Sequence, residues 1–341
     1  MKVIQIGNGR VSAMHRNCFP EGIVVIAAID TNPKNQGEEF PVFPDINSIP
    51  RGLLGEADLW DICVPDEYHL PAIKEVLARG AQKILVEKPI CIPSQIEEME
   101  ALLTGLSGIE VCVEETYASS KVVKVVREQS EKCGILRPQI LIEQSKNRME
   151  DITKGRFIDR ELGVFGLEIP HSLTVVVGTG NKRLPSIIQH VSLEDMRLPS
   201  GQILPRQGKG AISYLTEDGC QVKMVSAMNG EVLHPLPELN APTVIPFGSP
   251  VRYRVLVLEE KEYRIIGQFE PIPDWPRFRG RVLVLKSGEC LETIEVEDKP
   301  MNEHIARAIR YFKGEEENPA PATKALSLVK FLGEVMARLK S

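Results

Sequence analysis

The sequence predicts an α/β protein in two parts: a doubly wound parallel sheet over residues 1–120, then an α+β domain on a largely antiparallel sheet over residues 121–341. Three observations carry this reading. In the first third, short runs rich in Val and Ile alternate with amphipathic stretches, the pattern of βαβ units whose strands are covered on both faces. A glycine turn, Gly7-Asn8-Gly9, follows the first of these runs directly. Past residue 120 the strand-like runs are joined by short turn signals such as Glu217-Asp218-Gly219, which favour hairpins.

The expected elements follow in order. Strands are read at 3–6, 24–29, 59–64, 83–86 and 110–113, with a helical stretch after the first and clear helices at 70–78 and 95–103. The segment 31–50 contains four prolines and reads as a mostly irregular crossover. A helix at 121–131 leads into strands at 139–143, 187–191, 211–215, 221–226, 253–258, 263–267 and 281–285, interrupted by a helix at 170–177. Two helices, 301–312 and 323–339, close the chain on either side of an acidic, Pro-containing link. In the last helix, Leu326, Val329, Leu332 and Val335 recur at helical spacing and read as core, and this helix is free to pack back on the first domain.

Composition narrows the function. The 341 residues include 41 Lys and Arg against 47 Asp and Glu, a formal charge of −6 that offers no footprint for nucleic acid or an anionic membrane. The apolar runs fall well short of the ~18 residues of a spanning helix, and the start of the chain shows no signal-peptide pattern. Seven scattered cysteines without a C-x-x-C pair suit a reducing compartment, so a cytoplasmic protein is expected.

The glycine turn Gly7-Asn8-Gly9-Arg10-Val11-Ser12 sits between a strand and a helix, as in a dinucleotide-binding, Rossmann-like fold. The first glycine permits the tight turn, the second lets backbone approach a pyrophosphate, and the helix N-terminus supplies N–H groups and a favourable dipole. Ser12 stands where a third glycine or alanine is usual. Asp30 ends the second strand 23 residues after Gly7, the position of the acid that binds a ribose diol. A carboxylate there repels a 2′-phosphate. Thr31, Asn32 and Pro33 follow it, with Lys34 the only nearby cation, so NAD is favoured over NADP.

A second constellation, Glu87-Lys88-Pro89, ends a strand of the parallel sheet, where ligands bind in such folds. Pro89 stops the strand and fixes the backbone beside Lys88, and an X-Pro bond can be cis at modest cost, turning the lysine into the cleft. No His, Cys, Asp or Glu group has metal-ligand spacing, and with Lys88 supplying the positive charge no metal is expected.

With these motifs the chain resembles the Gfo/Idh/MocA family (glucose–fructose oxidoreductase, inositol dehydrogenase, rhizopine catabolism) of NAD(P)-dependent oxidoreductases. The likeness rests on GNGRVSAMH, with His15 three residues past Ser12, and on VPDEYH, VEKPI and GVFGLEIPH. The family pattern Thr-Pro-Asn-x-x-His is met at Pro65 and His69, with Val64 for Thr and Asp66 for Asn, while Glu87, Lys88 and Pro89 match in full. The resemblance implies a C-terminal open-faced sheet that shields the nicotinamide, and assembly into a homodimer or homotetramer through it. It also implies that Val64, Pro65, His69, Glu87 and Lys88 lie near the cofactor, and that Glu115 and Tyr117, with neighbouring Glu114, line the substrate pocket. His15 is read as packing or binding near the pyrophosphate, and His190, His234 and His304 as structural or exposed.

The family's second-domain pattern Asp-x-Gly-x-His-x-x-Asp retains only His171, with Leu167, Ile169 and Thr174 at its other positions. Glu168, one position off, is the substitute for the first Asp, and His171 inherits the role of catalytic base. Pro170 suits the first position of a helix, which would place His171 in the first turn, where the dipole favours a neutral imidazole. The activity so implied is hydride transfer between NAD and a secondary alcohol or carbonyl of a sugar, cyclitol or sugar derivative, with Lys88 stabilising the substrate oxygen. Two other readings stay open. One is NAD(P)H-dependent reduction of an imine or conjugated carbonyl, suggested by the missing acids around His171. The other is a non-catalytic NAD-binding regulatory protein, which has no need of Lys88.

Overall fold

The computed structural model describes residues 1–32, 39–155, 158–180, 183–272 and 275–339. Pro33 and Lys34, and with them part of the crossover, lie outside the described residues. The chain divides into two compact units, residues 1–119 with 300–330, and residues 120–299 with 331–341.

The first unit runs β1 (Lys2–Ile6), α1 (Arg10–Cys18), β2 (Val24–Ile29), β3 (Val42–Phe43), α2 (Arg51–Leu54), β4 (Leu59–Ile62), α3 (His69–Leu77), β5 (Lys83–Glu87), α4 (Ile96–Gly105) and β6 (Glu110–Glu114). All pairings are parallel, in the order β3-β2-β1-β4-β5-β6. The strands carry Val, Ile and Leu on both faces because helices cover both, and all four residues of β4 are buried. Winding reverses between β1 and β4, so a crevice opens at the carboxyl ends of these two strands. The strand expected at 59–64 ends at Ile62, which leaves Cys63 and Val64 in the loop that borders that crevice.

The second unit opens with α5 (Lys121–Lys132), β7 (Gln139–Lys146), α6 (Met149–Thr153) and α7 (Val164–Gly178). It continues with β8 (Pro185–Leu193), the short pair β9 (Met196–Arg197) and β10 (Ile203–Leu204), β11 (Lys209–Thr216), β12 (Gln221–Ala227), β13 (Arg252–Glu260), β14 (Tyr263–Gln268), β15 (Arg279–Lys286) and β16 (Glu289–Glu297). Eight strands form one sheet, β16-β15-β14-β13-β7-β12-β11-β8, antiparallel except for β7 with β12. Helices α5 and α7 pack on one face. On the other, Val232, Leu236, Leu239 and Ile245 pack on Tyr253, Val255 and Val257, so part of the face expected to be open is covered. Strand β16 escapes a hydrophobicity-based reading because it is an edge strand with charged, mostly exposed side chains.

The second-domain helix departs from expectation. It begins at Val164 rather than Pro170, after Gly163 at φ +61°, where a Cβ would meet Arg206 O at 2.4 Å. Burial of Val164, Phe165, Gly166, Ile169 and Pro170 holds this long helix together despite the internal proline, whose missing N–H costs one backbone hydrogen bond. His171 is therefore mid-helix, and the argument from a first-turn dipole does not apply to it.

The chain ends with α8 (Pro300–Phe312) and α9 (Ala322–Arg338). Ile305, Ile309 and Phe312 of α8 and Leu326 and Val329 of α9 join the core of the first unit. Among the described residues no helix is long and apolar enough to cross a membrane.

Candidate active site

At the crevice of the first unit, Gly7 takes φ +94°, and a Cβ on it would lie 2.9 Å from Cys63 O, so only glycine lets β1 turn this close to the β4 loop. Its N–H donates to Ile29 O (2.7 Å). Gly9 is the N-cap of α1; among the described residues no side chain caps this helix, and a Cβ at Gly9 would meet no described atom within 4 Å. Open space before uncapped helix N–H groups is what a pyrophosphate requires. Asp30 reaches this turn, accepting from Asn8 N and Asn32 N at 2.7 Å each. Ser12 is fully buried at the third glycine position, its hydroxyl donating to Gly9 O (2.7 Å). Arg10 and Thr31 are exposed beside the turn, as is Val11.

Beneath the turn lies a buried ionic chain. His15 has no exposed surface, and its Nδ1 is 2.9 Å from Asp61 Oδ1 while its Nε2 is 2.9 Å from Glu87 Oε1. Burial, the largest single influence, favours a neutral ring, but the charge and hydrogen bond of Asp61 together with those of Cys63 outweigh it and lift the pKa well above the usual histidine value. The ring is an imidazolium donating to a carboxylate on each side. Burial opposes ionisation of Glu87, yet hydrogen bonding and charge from His15, then Lys88, hold its carboxyl below the usual range. Glu114, at the end of β6, is also buried; desolvation and the negative charge of Glu87 push it up to about 8, while the Thr116 hydroxyl lies 2.8–3.0 Å from its two oxygens. Glu114 is thus protonated at neutral pH. His15, Asp61 and Cys63, and likewise His15, Glu87 and Glu114, bring ligand-type atoms within 4.8 Å of one another. A ring that donates from both nitrogens has no lone pair for a metal, however, and burial keeps the Cys63 thiol protonated.

Glu87 leads into Lys88 and a cis peptide to Pro89. His69, also buried, lies 2.7 Å from Pro89 O and 2.9 Å from Val64 O. Burial keeps its ring on the neutral side, so one N–H donates at a time, and the ring ties the Val64-Pro65 loop to the Lys88-Pro89 loop. Glu115 and Tyr117 follow β6 and are both buried. His304 is buried beside them with its Nε2 2.8 Å from Val113 O; burial lowers it to about 4, so it is a neutral structural ring.

In the second unit, Glu168 on α7 is buried and ion-paired with Lys146 of β7 and with Arg254 of β13 (3.5 Å). Burial works against its charge, but Lys146, Arg254 and His171 hold its carboxyl well below the usual range. Leu167 and Thr174 flank it on α7, and the Thr174 hydroxyl donates to Pro170 O (3.1 Å). His234, on a loop, has its N–H and Nδ1 against the buried Glu143 carboxylate (2.9 and 3.0 Å), a structural role.

Residues 1–116 match the model of GFO_IDH_MocA, described as an oxidoreductase family with an NAD-binding Rossmann fold. The first unit's nucleotide-binding part is thus similar to that family's Rossmann domain. No curated protein matches the chain by sequence. Among solved structures, UDP-N-acetylglucosamine 3-dehydrogenase GnnA from Acidithiobacillus ferrooxidans is similar at TM-score 0.68 and 13% identity, covering 99% of this chain and 97% of that one. Scyllo-inositol dehydrogenase from Lactobacillus casei, solved with NAD(H) and scyllo-inositol, is similar at TM-score 0.70 and 14% identity, over 97% and 94%. The WlbA (WbpB) dehydrogenase from Thermus thermophilus, in complex with NAD and UDP-GlcNAcA, is similar at TM-score 0.63 and 15% identity, over 98% and 94%. The likeness of fold to these dehydrogenases thus extends over the whole chain, beyond the residues the family model matches.

The structure gathers Gly7, Asn8, Asp30, Val64, Pro65, His69, Glu87 and Lys88 at or beside the carboxyl ends of β1, β2, β4 and β5. The chain of Asp61, His15 and Glu87 joins residues that no local motif links. Its one sequence signal is polarity inside apolar strands: Gln5 in VIQI and Asp61 in LWDI. Gln5 Nε2 donates to Asp61 Oδ2 (2.8 Å), completing the buried set.

Proposed function

We propose that the chain is an NAD-dependent oxidoreductase acting on a secondary alcohol or carbonyl of a sugar, cyclitol or sugar derivative. The observation that carries the reading is the first unit's glycine turn with the Asp30 carboxylate beside it and Lys88 at the end of β5. Asp30 suits a ribose diol and disfavours a 2′-phosphate, which supports NAD over NADP. The nicotinamide supplies the hydride acceptor, or the donor in reverse.

The protein's own residues do the rest. Gly7 and Gly9 clear the backbone for the pyrophosphate, and the uncapped end of α1 offers its N–H groups. The Lys88 ammonium holds the substrate oxygen and stabilises negative charge as it develops. His171 takes the hydroxyl proton in oxidation and returns it in reduction, with Glu168 one turn before it to orient the site and offset the imidazolium charge. Glu115 and Tyr117 line the substrate side. Assembly as a homodimer or homotetramer and a cytoplasmic location are part of the same proposal.

The test is nicotinamide absorbance with NAD and NADP against sugars, cyclitols, sugar derivatives and imines. The reading expects substrate-dependent reduction of NAD with polyols or sugars, and His171→Ala is expected to lower activity and abolish its rise with pH. Cofactor binding without turnover of any carbohydrate would remove it.

A further inference from the structure

Two polar rungs tie α7 to β7 in the second unit. Gln144 Nε2 of β7 donates to Ser172 Oγ (3.1 Å), and that hydroxyl donates in turn to Glu168 O (3.1 Å). One turn earlier on the helix and two residues later on the strand, Lys146 Nζ pairs with Glu168 Oε1. Glu168 is 3% exposed, and its other oxygen lies 3.5 Å from Arg254 Nη2. His171 follows Glu168 by three residues, which puts both on one face of α7, and its charge acts on that carboxylate.

Charged groups stand around Lys146 from several elements. From α7 come Glu168 and His171; from β13 come Arg252, its cross-strand partner, and Arg254; Arg148 lies just past the end of β7. On the other flank, β12 carries Ser226 and Ala227, which do not titrate. Burial brings Lys146 down to about 7, and the three guanidinium groups add to this against the pull of Glu168. Arginine keeps its charge at any pH the fold meets, whereas histidine is the side chain whose charge changes most readily near neutrality.

One carboxylate cannot fully neutralise two cations. With Lys146 as an ammonium, the charge of Glu168 is already met, and an imidazolium beside it gains little. With Lys146 uncharged, the same carboxylate favours the imidazolium and spoils the ring as a base. We propose that Lys146 is a positioning residue for His171: its ammonium, held on Glu168, keeps the imidazole neutral and ready to accept a proton. This assignment rests on the oxidoreductase reading only in giving His171 the task of a base.

Histidine-selective NMR titration of the full chain tests it without turnover, the His171 resonance being assigned by its loss in His171→Gln. Lys146→Met removes the ammonium, and the His171 midpoint is expected to rise by about one pH unit, the effect of withdrawing one nearby like charge. Lys146→Arg supplies a fixed cation and is expected to bring the midpoint back to the wild-type value or below it. A rise of less than about half a unit in Lys146→Met, or an equal rise in Lys146→Arg, overturns the proposal and leaves Lys146 a structural partner of Glu168. Should Lys146→Met not fold, Lys146→Gln carries the same comparison, since its amide still donates to Glu168 while the charge is gone. Where a substrate is turned over, the acid limb of the kcat profile is expected to move up with the midpoint. A shifted His171 in a chain that turns over no substrate with NAD removes the oxidoreductase reading and leaves this coupling in place. Turnover with His171 unmoved does the reverse.

Discussion

Replacing His15 by Gln probes the buried ionic chain of the first unit most directly. The amide keeps the option of one N–H donation but removes the positive charge between Asp61 and Glu87, 2.9 Å away on either side. Breaking a buried pair by deleting one partner costs about 3–5 kcal/mol, because a carboxylate is left uncompensated in low dielectric. Set against a total stability of about 5–15 kcal/mol, that loss is a large fraction. The pH window follows from the two shifts. The raised His15 contributes fully below its unfolded value near 6.5 and loses this only as pH climbs through its elevated folded value. The depressed Glu87 contributes above about 4.5 and loses this as pH falls through its lowered value. The deficit should therefore be full at pH 5–6.5 and shrink on acidification as pH falls through the lowered Glu87 value, where carboxyl protonation relieves the variant. Urea unfolding followed by Trp60 fluorescence, in a Trp275→Phe background, reads this unit alone, since Trp60 is buried next to Asp61. A deficit under about 1 kcal/mol at pH 6, or a deficit that does not shrink at any stage of acid titration, refutes a charged His15.

Three further outcomes are expected. Lys88→Ala should cut turnover by about 10²–10³ with NAD affinity unchanged, the effect of losing one oxyanion-type donor; unaltered steady-state rates would take Lys88 out of the mechanism. Glu114 ionises near 4.5 when unfolded but near 8 when folded, so the folded state holds its proton longer and stability should fall as pH rises through that interval, by at most ~5 kcal/mol. Glu114→Gln should flatten this slope in urea titrations at stepped pH, and an unchanged slope assigns the effect elsewhere. Gly7→Ala forces a Cβ to within 2.9 Å of a carbonyl oxygen at positive φ, and should lose about 1–3 kcal/mol and weaken dinucleotide binding; normal melting together with normal calorimetric NAD binding counts against the tight turn.

What was legible in the sequence is what repeats with a short period. The parallel strands announce themselves as Val and Ile runs, and the glycine turn and Asp30 follow from backbone needs local to one βαβ unit. The start of α7 differs from the expected Pro170 because proline has two meanings, a favoured first-turn residue and a tolerated interior one. Burial of Val164, Phe165, Gly166, Glu168 and Ile169 decides between them, and burial is not a local property. His15 could not be assigned from its neighbours in sequence, since its partners stand 46 and 72 residues away. The cluster around Glu168 is equally hidden: Lys146 and Arg254 meet that carboxylate only once α7 packs on the paired β7 and β13.

The position of β7 has a consequence for how the second unit assembles. Strands β8, β11 and β12 join neighbour to neighbour, as do β13 to β16, so each group can zip through short-range hairpins. The strand that joins the two ribbons comes first of the eight in sequence, and both its partners come much later: Ile140 pairs with Val222 on one side and Leu258 on the other. Closing loops of that length costs entropy before any contact rewards it, so the rate of becoming native should hinge on this one docking event. A chain emerging from the ribosome must shelter the apolar edges of β7 until β13 has been synthesised, and substitutions at Ile142 should slow refolding more than equally buried ones at Leu283.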